Sequence, residues 1–482
     1  MLPKRADLYY GGRWHVPLSG RYAQTIDPAL DEPIVAVADA GAQDAEAAIR
    51  AAQEGFEIWR NVKPVERAAA LRQAAAVIRS QAEELAMLDA IDTGNPVAEM
   101  VSDARMAAAE IEYFAGLVTE IKGHTIPMGN AMLNYTIREP LGVVARIVAY
   151  NHPLMFAAMK LAAPLAAGNA VIVKAPEQAP LSSLKMAELV GDLFPPGVLN
   201  VLAGGLECGQ MLASHPAVRK VTLIGSVATG KAVMRTAAET LKQVLLELGG
   251  KNAMIVYPDA DIDKVVAAAV RGMNFTWAGQ SCGSTSRLFL HDSIHDRVLA
   301  AVVQLVREKH CPGIPTDWTT TMGPLVSRAQ RDRVLDFVRS ALDEGATLMT
   351  GGKPPEDAKL ARGYFVEPTV FSEVKPTMRI ARDEIFGPVL SVLRWSDEDA
   401  LFGAVNGVEY GLTASIWTRD LATAHRAARE VEAGYVWINN VGAHFLGAPF
   451  GGVKQSGVGR EESFDELLEF TQIKNVNVNL GD

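Results

Sequence analysis

Residues 141–249 alternate between short apolar runs and helical stretches, and this alternation limits the fold more than any other feature of the sequence. The run at 143–149 consists of apolar β-formers interrupted only by Arg146, as in a strand buried on both faces of a parallel sheet. Further strands are predicted at 170–174, 198–202, 221–224 and 243–248, with helices at 153–167, 182–193, 209–215 and 231–239. This order predicts the α/β class, with a doubly wound parallel sheet.

The flanking regions predict helices first and more α/β structure later. Helices are expected at 44–59, from Pro64 to about residue 91, and at 97–118. In the second half, helices are expected at 263–275, 296–309 and 327–344, and strands at 288–291, 348–350, 389–394 and 414–418. Residues 132–138 read as an extended strand, and the alternating tail 467–479 as an edge strand or one that seeks a partner.

Length and charge exclude several classes of protein. A chain of 482 residues is too long for one compact core, so two or three domains are expected. The hydrophobic fraction of 49% and the charged fraction of 21% are typical of soluble globular proteins. The formal net charge is −10 and no long basic run is present, which argues against nucleic acid or an anionic membrane as a partner.

Cysteine is too scarce for a disulfide framework. The three cysteines are Cys208, Cys282 and Cys311, and this number suits the reducing cytoplasm, where we expect the protein. The first residues lack the apolar run of a signal peptide. The longest alanine-rich apolar stretch, 155–167, contains Lys160 and is too short and too charged to span a bilayer.

Polar residues follow several of the predicted parallel strands, where ligands of such sheets bind. Asn151 follows the strand at 143–149, and its amide could donate to an oxyanion or could simply favour the turn before Pro153. Lys174 and Glu177 follow the next strand and could hold ribose hydroxyls or form a solvated surface pair. We therefore expect a ligand site near 150–152, 174–177 and 225–230.

The sequence GSVATGK at 225–231 nearly matches a phosphate-binding P-loop. Ala232 stands where that motif has a hydroxyl side chain that binds magnesium, which argues against an ATP-using phosphotransferase. Two interpretations remain, a glycine turn at a helix N-terminus that meets a pyrophosphate, and a turn without a ligand. No GxGxxG fingerprint follows any predicted strand.

A possible nucleophile and a possible base lie further along the chain. Cys282 has small neighbours in FTWAGQSCGSTSR at 275–287, so a thiolate there could attack an electrophilic carbon. Glu247 ends an apolar strand beside a glycine pair, where burial could raise its pKa and fit it to act as a base. Taken singly, each could also be an ordinary structural residue.

Nine motifs, in order and covering about residues 9–474, together resemble the NAD(P)-dependent aldehyde dehydrogenases. They are REPLGVV with the YNHP turn around Asn151, VKAPEQAP at 173–180, LIGSVATG at 223–230, LELGGK at 246–251, GQSC at 279–282, GYFVEPTVF at 363–371, EIFGPV at 384–389, YGLTASIWT at 410–418 and PFGGVKQSGVGRE at 449–461. One match would be weak, whereas nine in order are specific.

The resemblance implies a role for each catalytic candidate. Cys282 is expected to attack the aldehyde and form a thiohemiacetal, which becomes a thioester after hydride transfer. Asn151 and the backbone N–H of Cys282 are expected to form the oxyanion hole, and Glu247 to activate the water that hydrolyses the thioester. Lys160 and Glu461 match positions tied to a proton relay. No metal is assigned.

The same resemblance implies NAD as cofactor. The residues expected to bind it are Lys174 and Glu177 at the adenosine ribose, Gly225 and Ser226 at the phosphates, and Glu384 and Phe386 at the nicotinamide ribose and ring. Glu177 favours NAD⁺ over NADP⁺, because a carboxylate that meets the 2′-hydroxyl repels a 2′-phosphate.

Three parts are expected by resemblance, and the chain would form a homodimer or homotetramer. They are a Rossmann-like NAD-binding domain at 1–119 and 141–249, an α/β catalytic domain at 250–450, and a small β oligomerisation flap with the C-terminal tail at 120–140 and 451–482.

The expected substrate pocket is apolar with two imidazoles, which suggests a medium-sized aldehyde that could be aromatic; the alternative is that the two histidines only pack. Its residues are His152, Met155, Phe156, Met159, Phe275, Ser281, His444 and Phe450. His152 stands where the family commonly has Phe, and Tyr150 where it often has Trp. Two other functions stay open beside the phosphotransferase. One is transfer of the thioester to coenzyme A, against which Glu247 argues, and the other is a non-catalytic protein of the same fold.

Overall fold

The computed structural model describes residues 1–481, which form 22 strands and 15 α-helices. The strands up to residue 249 are β1 (Leu8–Tyr10), β2 (Arg13–His15), β3 (Tyr22–Asp27), β4 (Glu32–Ala38), β5 (Thr125–Ile126), β6 (Met132–Pro140), β7 (Val143–Ile147), β8 (Ala170–Ala175), β9 (Leu199–Ala203), β10 (Val218–Ile224) and β11 (Gln243–Glu247). The helices of this part are α1 (Ala42–Trp59), α2 (Pro64–Ser80), α3 (Ala82–Thr93), α4 (Val97–Gly116), α5 (Pro153–Ala167), α6 (Leu181–Val190), α7 (Leu206–Ser214) and α8 (Val227–Ala238).

The remaining residues add a second set of elements. The strands are β12 (Ala253–Val256), β13 (Arg287–His291), β14 (Thr347–Thr350), β15 (Thr369–Ser372), β16 (Val389–Trp395), β17 (Tyr410–Gly411), β18 (Thr413–Trp417), β19 (Tyr435–Ile438), β20 (Val453–Lys454), β21 (Gly457–Val458) and β22 (Thr471–Asn479). The helices are α9 (Ile262–Gly272), α10 (His295–Lys309), α11 (Arg328–Asp343), α12 (Arg379–Arg382), α13 (Glu398–Asn406), α14 (Leu421–Glu430) and α15 (Phe464–Glu469).

The first sheet confirms the predicted doubly wound arrangement. Its order is β2-β1-β9-β8-β7-β10-β11-β21, and the five strands from β9 to β11 are parallel. The order reverses between β7 and β10, so the loops after these two strands flank the crevice in which ligands of such sheets bind. Asn151 and Gly225 lie in those two loops.

The second sheet has the order β14-β15-β16-β13-β12-β18-β19 and is parallel apart from the β14–β15 pair. Its inner strand β12 is buried throughout, and Met254 is fully excluded from solvent. Burial on both faces explains why β12 consists of uninterrupted apolar residues rather than alternating ones. The predicted α/β class therefore holds for both halves of the chain.

A third, three-stranded sheet has the order β22-β6-β5, with β22 and β6 antiparallel over nine residue pairs. The asparagines of the tail bond across this pair, because Asn134 Nδ2 donates to Asn475 Oδ1 at 2.9 Å. The tail also reaches the first sheet, where Gly457 of β21 pairs with Glu247 of β11. The chain after residue 450 therefore contributes strands both to this three-stranded sheet, called the flap sheet below, and to the first sheet.

Several predicted elements differ from the structure. The single helix predicted from Pro64 to about residue 91 is wrong, because Gln81 leaves the helical region (φ −106°, ψ 13°) and separates α2 from α3. No proline or glycine marks this break in the sequence. Helix α8 begins at Val227, four residues before the predicted start at Lys231. Strands β12, β15 and β19 and helices α13 and α14 were not predicted.

Candidate active site

Two cavities meet at the predicted catalytic residues. The larger has a volume of about 930 Å³ and extends between Gly225, Ser226, Glu384 and Phe386. The smaller has a volume of about 320 Å³ and runs between α4, α5 and the loops after β19. The residues that line both are Ile224, Glu247 and Cys282. One cysteine sulfur can therefore be reached from two sides.

The loop that carries Cys282 is held from its backbone. Asn252 donates from Nδ2 to the carbonyl of Cys282 at 2.7 Å and to that of Ser284 at 2.9 Å. Asn274 and Ala278 both adopt left-handed backbone conformations, with φ of 55° and 49°, which non-glycine residues rarely do. Strained residues of this kind persist where the surroundings fix them, as they do around a site that must be rigid.

Burial and two neighbouring carboxyl groups, Glu384 and Glu247, raise the pKa of the Cys282 thiol to about 12. The backbone N–H groups of Cys282 and Gly283 act in the opposite direction. The sulfur is therefore a neutral thiol at rest, and a base must remove its proton before it can attack.

Glu247 has the environment of a general base. It ends strand β11, both carboxyl oxygens are buried, and neither has a hydrogen-bond partner among residues 1–481. Burial and the nearby Glu461 raise its pKa well above the usual range for glutamate. A β-carbon at Gly451 would lie 2.7 Å from Oε1 of Glu247, so the absence of a side chain at 451 leaves room for this carboxyl group.

Asn151 lies directly after β7, and its side chain lines the larger cavity with Cys282. Its backbone carbonyl accepts a hydrogen bond from Asn95 Nδ2 at 2.9 Å. Asn95 is buried in the turn between α3 and α4 and was not predicted as a site residue, because 56 residues separate the two asparagines. The arrangement fixes the backbone from which the Asn151 amide extends.

A buried charge cluster lies beside Glu247. Lys160 Nζ is 2.8 Å from Glu461 Oε2, and Arg146 Nη2 is 3.3 Å from Glu461 Oε1 and 3.4 Å from Glu466. Lys160 and Arg146 hold the pKa of Glu461 below its usual range despite burial. Desolvation lowers the pKa of Lys160, but the carboxylates around it, Glu461 first, outweigh that effect and raise it.

The cofactor candidates after β8 and β10 lie at the carboxyl edge of the first sheet. Lys174 is buried at the end of β8, which lowers its pKa, and its Nζ is 3.9 Å from the largely exposed Glu177. Ser226 caps helix α8, since its Oγ accepts the backbone N–H of Thr229 at 3.2 Å. The predicted glycine turn is therefore the first turn of α8, with its free N–H groups at the larger cavity.

Glu384 and Phe386 face Ser226 and Tyr150 across the larger cavity. Glu384 Oε1 accepts the backbone N–H of Gly250 at 3.0 Å. The Phe386 ring lies 5.9 Å from Tyr150, and the carbonyl of Phe386 accepts from Gln330 Nε2 at 2.7 Å. Gln330, like Asn252 and Arg333, lines or supports the site but was missed, because its role depends on contacts between distant segments.

The smaller cavity brings together most of the predicted substrate residues. It is lined by His152, Met155, Phe156, Met159, Ser281, His444 and Phe450. Phe275 was expected there, and this expectation is wrong: its side chain is fully buried and packs on His310 at 5.5 Å between ring centroids. Trp277 lines the cavity instead, because residues two apart in the 3₁₀ turn Phe275–Trp277 point to different sides.

Residues 1–481 contain neither a cluster of metal-ligating side chains nor a helix that could span a membrane. No group of three or more His, Cys, Asp or Glu side chains lies close enough to hold a metal ion. No helix in this part of the chain has both the length and the apolar character needed to cross a bilayer.

Comparison with known proteins extends the resemblance to the whole chain. The model of the aldehyde dehydrogenase family matches residues 14–476. Aldehyde dehydrogenase tropH of Talaromyces stipitatus is 55% identical over 486 residues, which cover 100% of this chain and 94% of that protein.

Solved structures agree with the match to the family model and with the similarity to tropH. PnpE, known from Pseudomonas sp. WBC-3, has been solved in complex with nicotinamide adenine dinucleotide; that structure is 40% identical with a TM-score of 0.96, covering 99% of this chain and 98% of that one. Betaine aldehyde dehydrogenase of Staphylococcus aureus, with NAD⁺ and a cysteine modified by β-mercaptoethanol, is 34% identical with a TM-score of 0.96, covering 100% and 98%. The chain therefore belongs to the aldehyde dehydrogenase family.

Proposed function

We propose that the protein oxidises an aldehyde to its carboxylic acid with NAD⁺ as hydride acceptor. The observation that carries the proposal is that Cys282 and Glu247 line both cavities. A nucleophile at this junction can receive the aldehyde from one side while the hydride acceptor lies on the other.

The chemistry requires the Cys282 thiol to give its proton to water in the open cavity while the sulfur attacks the aldehyde carbon. The amide of Asn151 and the backbone N–H of Cys282 then donate to the oxygen on which negative charge develops, and each such donor contributes about 10²–10³ in rate. NAD supplies the hydride acceptor, so the thiohemiacetal on Cys282 becomes a thioester.

Glu247 completes the cycle as the base that takes a proton from water, which then attacks the thioester carbon. Its raised pKa suits this role, because a carboxylate with a raised pKa binds the proton of water more strongly than an ordinary glutamate does. We assign Lys160 and Glu461, which lie beside it in the buried charge cluster, to passing the proton onward.

NAD rather than NADP fits the residues that follow the parallel strands of the first sheet and those that line the larger cavity. Gly225 and Ser226 stand at the N-terminus of α8, where a pyrophosphate finds free N–H groups. Glu177 lies near Lys174 and is free to meet ribose hydroxyls, and its charge opposes a 2′-phosphate. Glu384 and Phe386 would hold the nicotinamide ribose and ring at the opposite end.

Hydrolysis is favoured over transfer to coenzyme A because Glu247 is present and buried beside Cys282. We propose a medium-sized aldehyde as substrate, since methionine and aromatic side chains dominate the wall of the smaller cavity. Product analysis with and without coenzyme A distinguishes hydrolysis of the thioester from its transfer to coenzyme A. Free acid supports hydrolysis, and an acyl-coenzyme A product would refute it.

The flap sheet supports the proposal of a homodimer or homotetramer. The exposed apolar residues on its strands are Ile126, Leu133, Ile137 and Ile473, between 39% and 61% accessible. Such residues on an open sheet edge favour pairing with a second copy of the chain.

All three cysteines are unpaired, and we propose the cytoplasm as the compartment.

The direct test is the variant Cys282→Ala, assayed for NADH formation from NAD⁺ and a panel of aldehydes. We expect its rate to fall to background, while Cys311→Ala, which removes an exposed cysteine, keeps the wild-type rate. NADH formation by Cys282→Ala at the wild-type rate would refute the proposed mechanism.

A further inference from the structure

His152 and Asp103 form a buried pair in the wall of the smaller cavity. His152 Nδ1 lies 2.6 Å from Asp103 Oδ2, and the side chains are only 12% and 9% exposed. Asp103 comes from helix α4 and His152 from the turn before α5, so the contact joins two elements that enclose the cavity. The imidazole also lies between Phe156 and Trp277, with ring centroids at 5.3 and 5.4 Å.

This contact sets which ring nitrogen of His152 is free. A carboxylate only accepts hydrogen bonds, so Nδ1 carries the proton that it donates to Asp103. The second nitrogen, Nε2, has no hydrogen-bond partner among residues 1–481 and is not enclosed by protein. In the neutral ring this nitrogen is an acceptor, available to a donor inside the cavity.

A second histidine lies nearer the outside. His444 Nδ1 is 3.0 Å from Glu462 Oε2, but its side chain is 36% exposed, and it is followed by Phe445 and Leu446, which are 58% and 42% exposed. His152 instead follows Asn151 directly, close to Cys282. His152 is therefore the histidine that can contact a small substrate bound at Cys282, and His444 lies nearer the opening of the smaller cavity.

Charge around the cavity disfavours an anionic substrate. Asp103 and Glu462 line it, and Lys160 is already paired with Glu461. A neutral substrate that carries a hydrogen-bond donor suits this wall, and the aromatic rings beside His152 suit a planar body.

We propose that the substrate is a single-ring aromatic aldehyde bearing a hydroxyl group, which donates a hydrogen bond to Nε2 of His152. Asp103 acts as a positioning residue that keeps this nitrogen in its acceptor form. The cavity of about 320 Å³ is at the lower end of the range for ligand sites and accommodates one ring rather than several. The inference rests on the proposed aldehyde oxidation, whose residues it extends.

The test compares 3-hydroxy- and 4-hydroxybenzaldehyde with benzaldehyde as substrates. The quantity measured is the ratio of kcat/KM for the hydroxylated aldehyde to that for benzaldehyde, which cancels any general loss of activity. We expect the ratio for at least one isomer to exceed 10 in the wild type and to fall about tenfold in His152→Phe, since a net hydrogen bond of about 1.4 kcal/mol corresponds to a factor of 10. Asp103→Leu, which cannot accept the Nδ1 proton, should lower the same ratio, whereas Asp103→Asn, whose amide oxygen still accepts that proton, should keep it.

Control variants and further substrates distinguish an error in the assignment to His152 from an error in the substrate class or in the proposed function. His215→Phe removes another histidine paired with a carboxylate, at 3.0 Å from Glu46 and outside both cavities, and should keep the wild-type ratio. A ratio unchanged in His152→Phe, or lost in His444→Phe alone, overturns the assignment to His152. A wild-type preference for 4-carboxybenzaldehyde overturns the neutral substrate class. Absence of NADH formation with every aldehyde instead refutes the proposed function itself.

Discussion

Replacing Glu247 with glutamine should separate the two halves of the reaction. The amide has nearly the size of the carboxyl group, and both oxygens of Glu247 lack hydrogen-bond partners among residues 1–481, so the change removes the base without breaking a hydrogen bond of the carboxyl group. A positioned base contributes about 10²–10⁴ in rate, so steady-state turnover should fall by about that factor. Formation of the thioester does not need this base, because the Cys282 proton passes to water in the cavity.

The assay is rapid-mixing measurement of NADH at excess aldehyde. We expect Glu247→Gln to form one NADH per active site in a fast first phase, followed by slow turnover, because the thioester accumulates. Glu239→Gln, at an exposed position after α8, serves as the control and should behave as wild type. Steady-state turnover close to wild type would refute the role of Glu247 in hydrolysis. Loss of the first phase as well would show that Glu247 also serves the attack by sulfur.

The pH dependence of turnover follows from the same carboxyl group. Burial raises the pKa of Glu247, and the ionised form is the active base, so the hydrolysis rate should rise with pH until that pKa is passed. Below the pKa the expected slope is about tenfold per pH unit for a single required ionisation. In Glu247→Gln this slope should disappear from the slow phase, and a persisting slope would assign the titration to another group.

Three further variants test the supporting residues. Asn95→Ala removes the hydrogen bond to the Asn151 carbonyl and should slow the first NADH phase about fivefold, for a bond of about 1 kcal/mol; an unchanged phase would show that Asn95 does not position the amide. Gly451→Ala places a methyl group against Glu247 and should slow the second phase more than the first, whereas equal slowing would indicate general distortion. Glu177→Ser should lower the ratio of kcat/KM for NAD⁺ to that for NADP⁺, and an unchanged ratio would refute the role of that charge.

The sequence predicted the parts of the fold that depend on local pattern. Strands β7, β8 and β10 are largely buried and appear as mainly apolar runs, which is why the first sheet and the loops at its carboxyl edge could be located. The break between α2 and α3 could not, because Gln81 is a good helix former and no proline or glycine marks the turn.

The residues of the site likewise include some that the sequence predicted and some that it did not. Cys282, Glu247 and Asn151 each follow a recognisable motif, and the structure brings Cys282 and Glu247 to one junction. Asn95 and Asn252 act through backbone carbonyls of distant segments, and no spacing along the chain reveals such contacts.

Which residues line the smaller cavity depends on the direction in which each side chain points, and the position of a residue within a motif does not reveal that direction. Phe275 and Trp277 are two residues apart in one 3₁₀ turn, yet one packs into the core and the other lines the cavity. The Asp103–His152 pair joins residues 49 apart in sequence, and only the packing of α4 against α5 brings them together.

The central claim is that the substrate carbon becomes bonded to Cys282 and is released by water that Glu247 activates. The most direct measurement is the mass of the Glu247→Gln variant after mixing with NAD⁺ and a substrate aldehyde, followed by peptide mapping. We predict one added acyl group per chain on the peptide that contains Cys282, formed at the rate of the first NADH phase and removed by hydroxylamine. NADH formation without an acyl group on that peptide, or an acyl group on Cys208 or Cys311 instead, would contradict the mechanism.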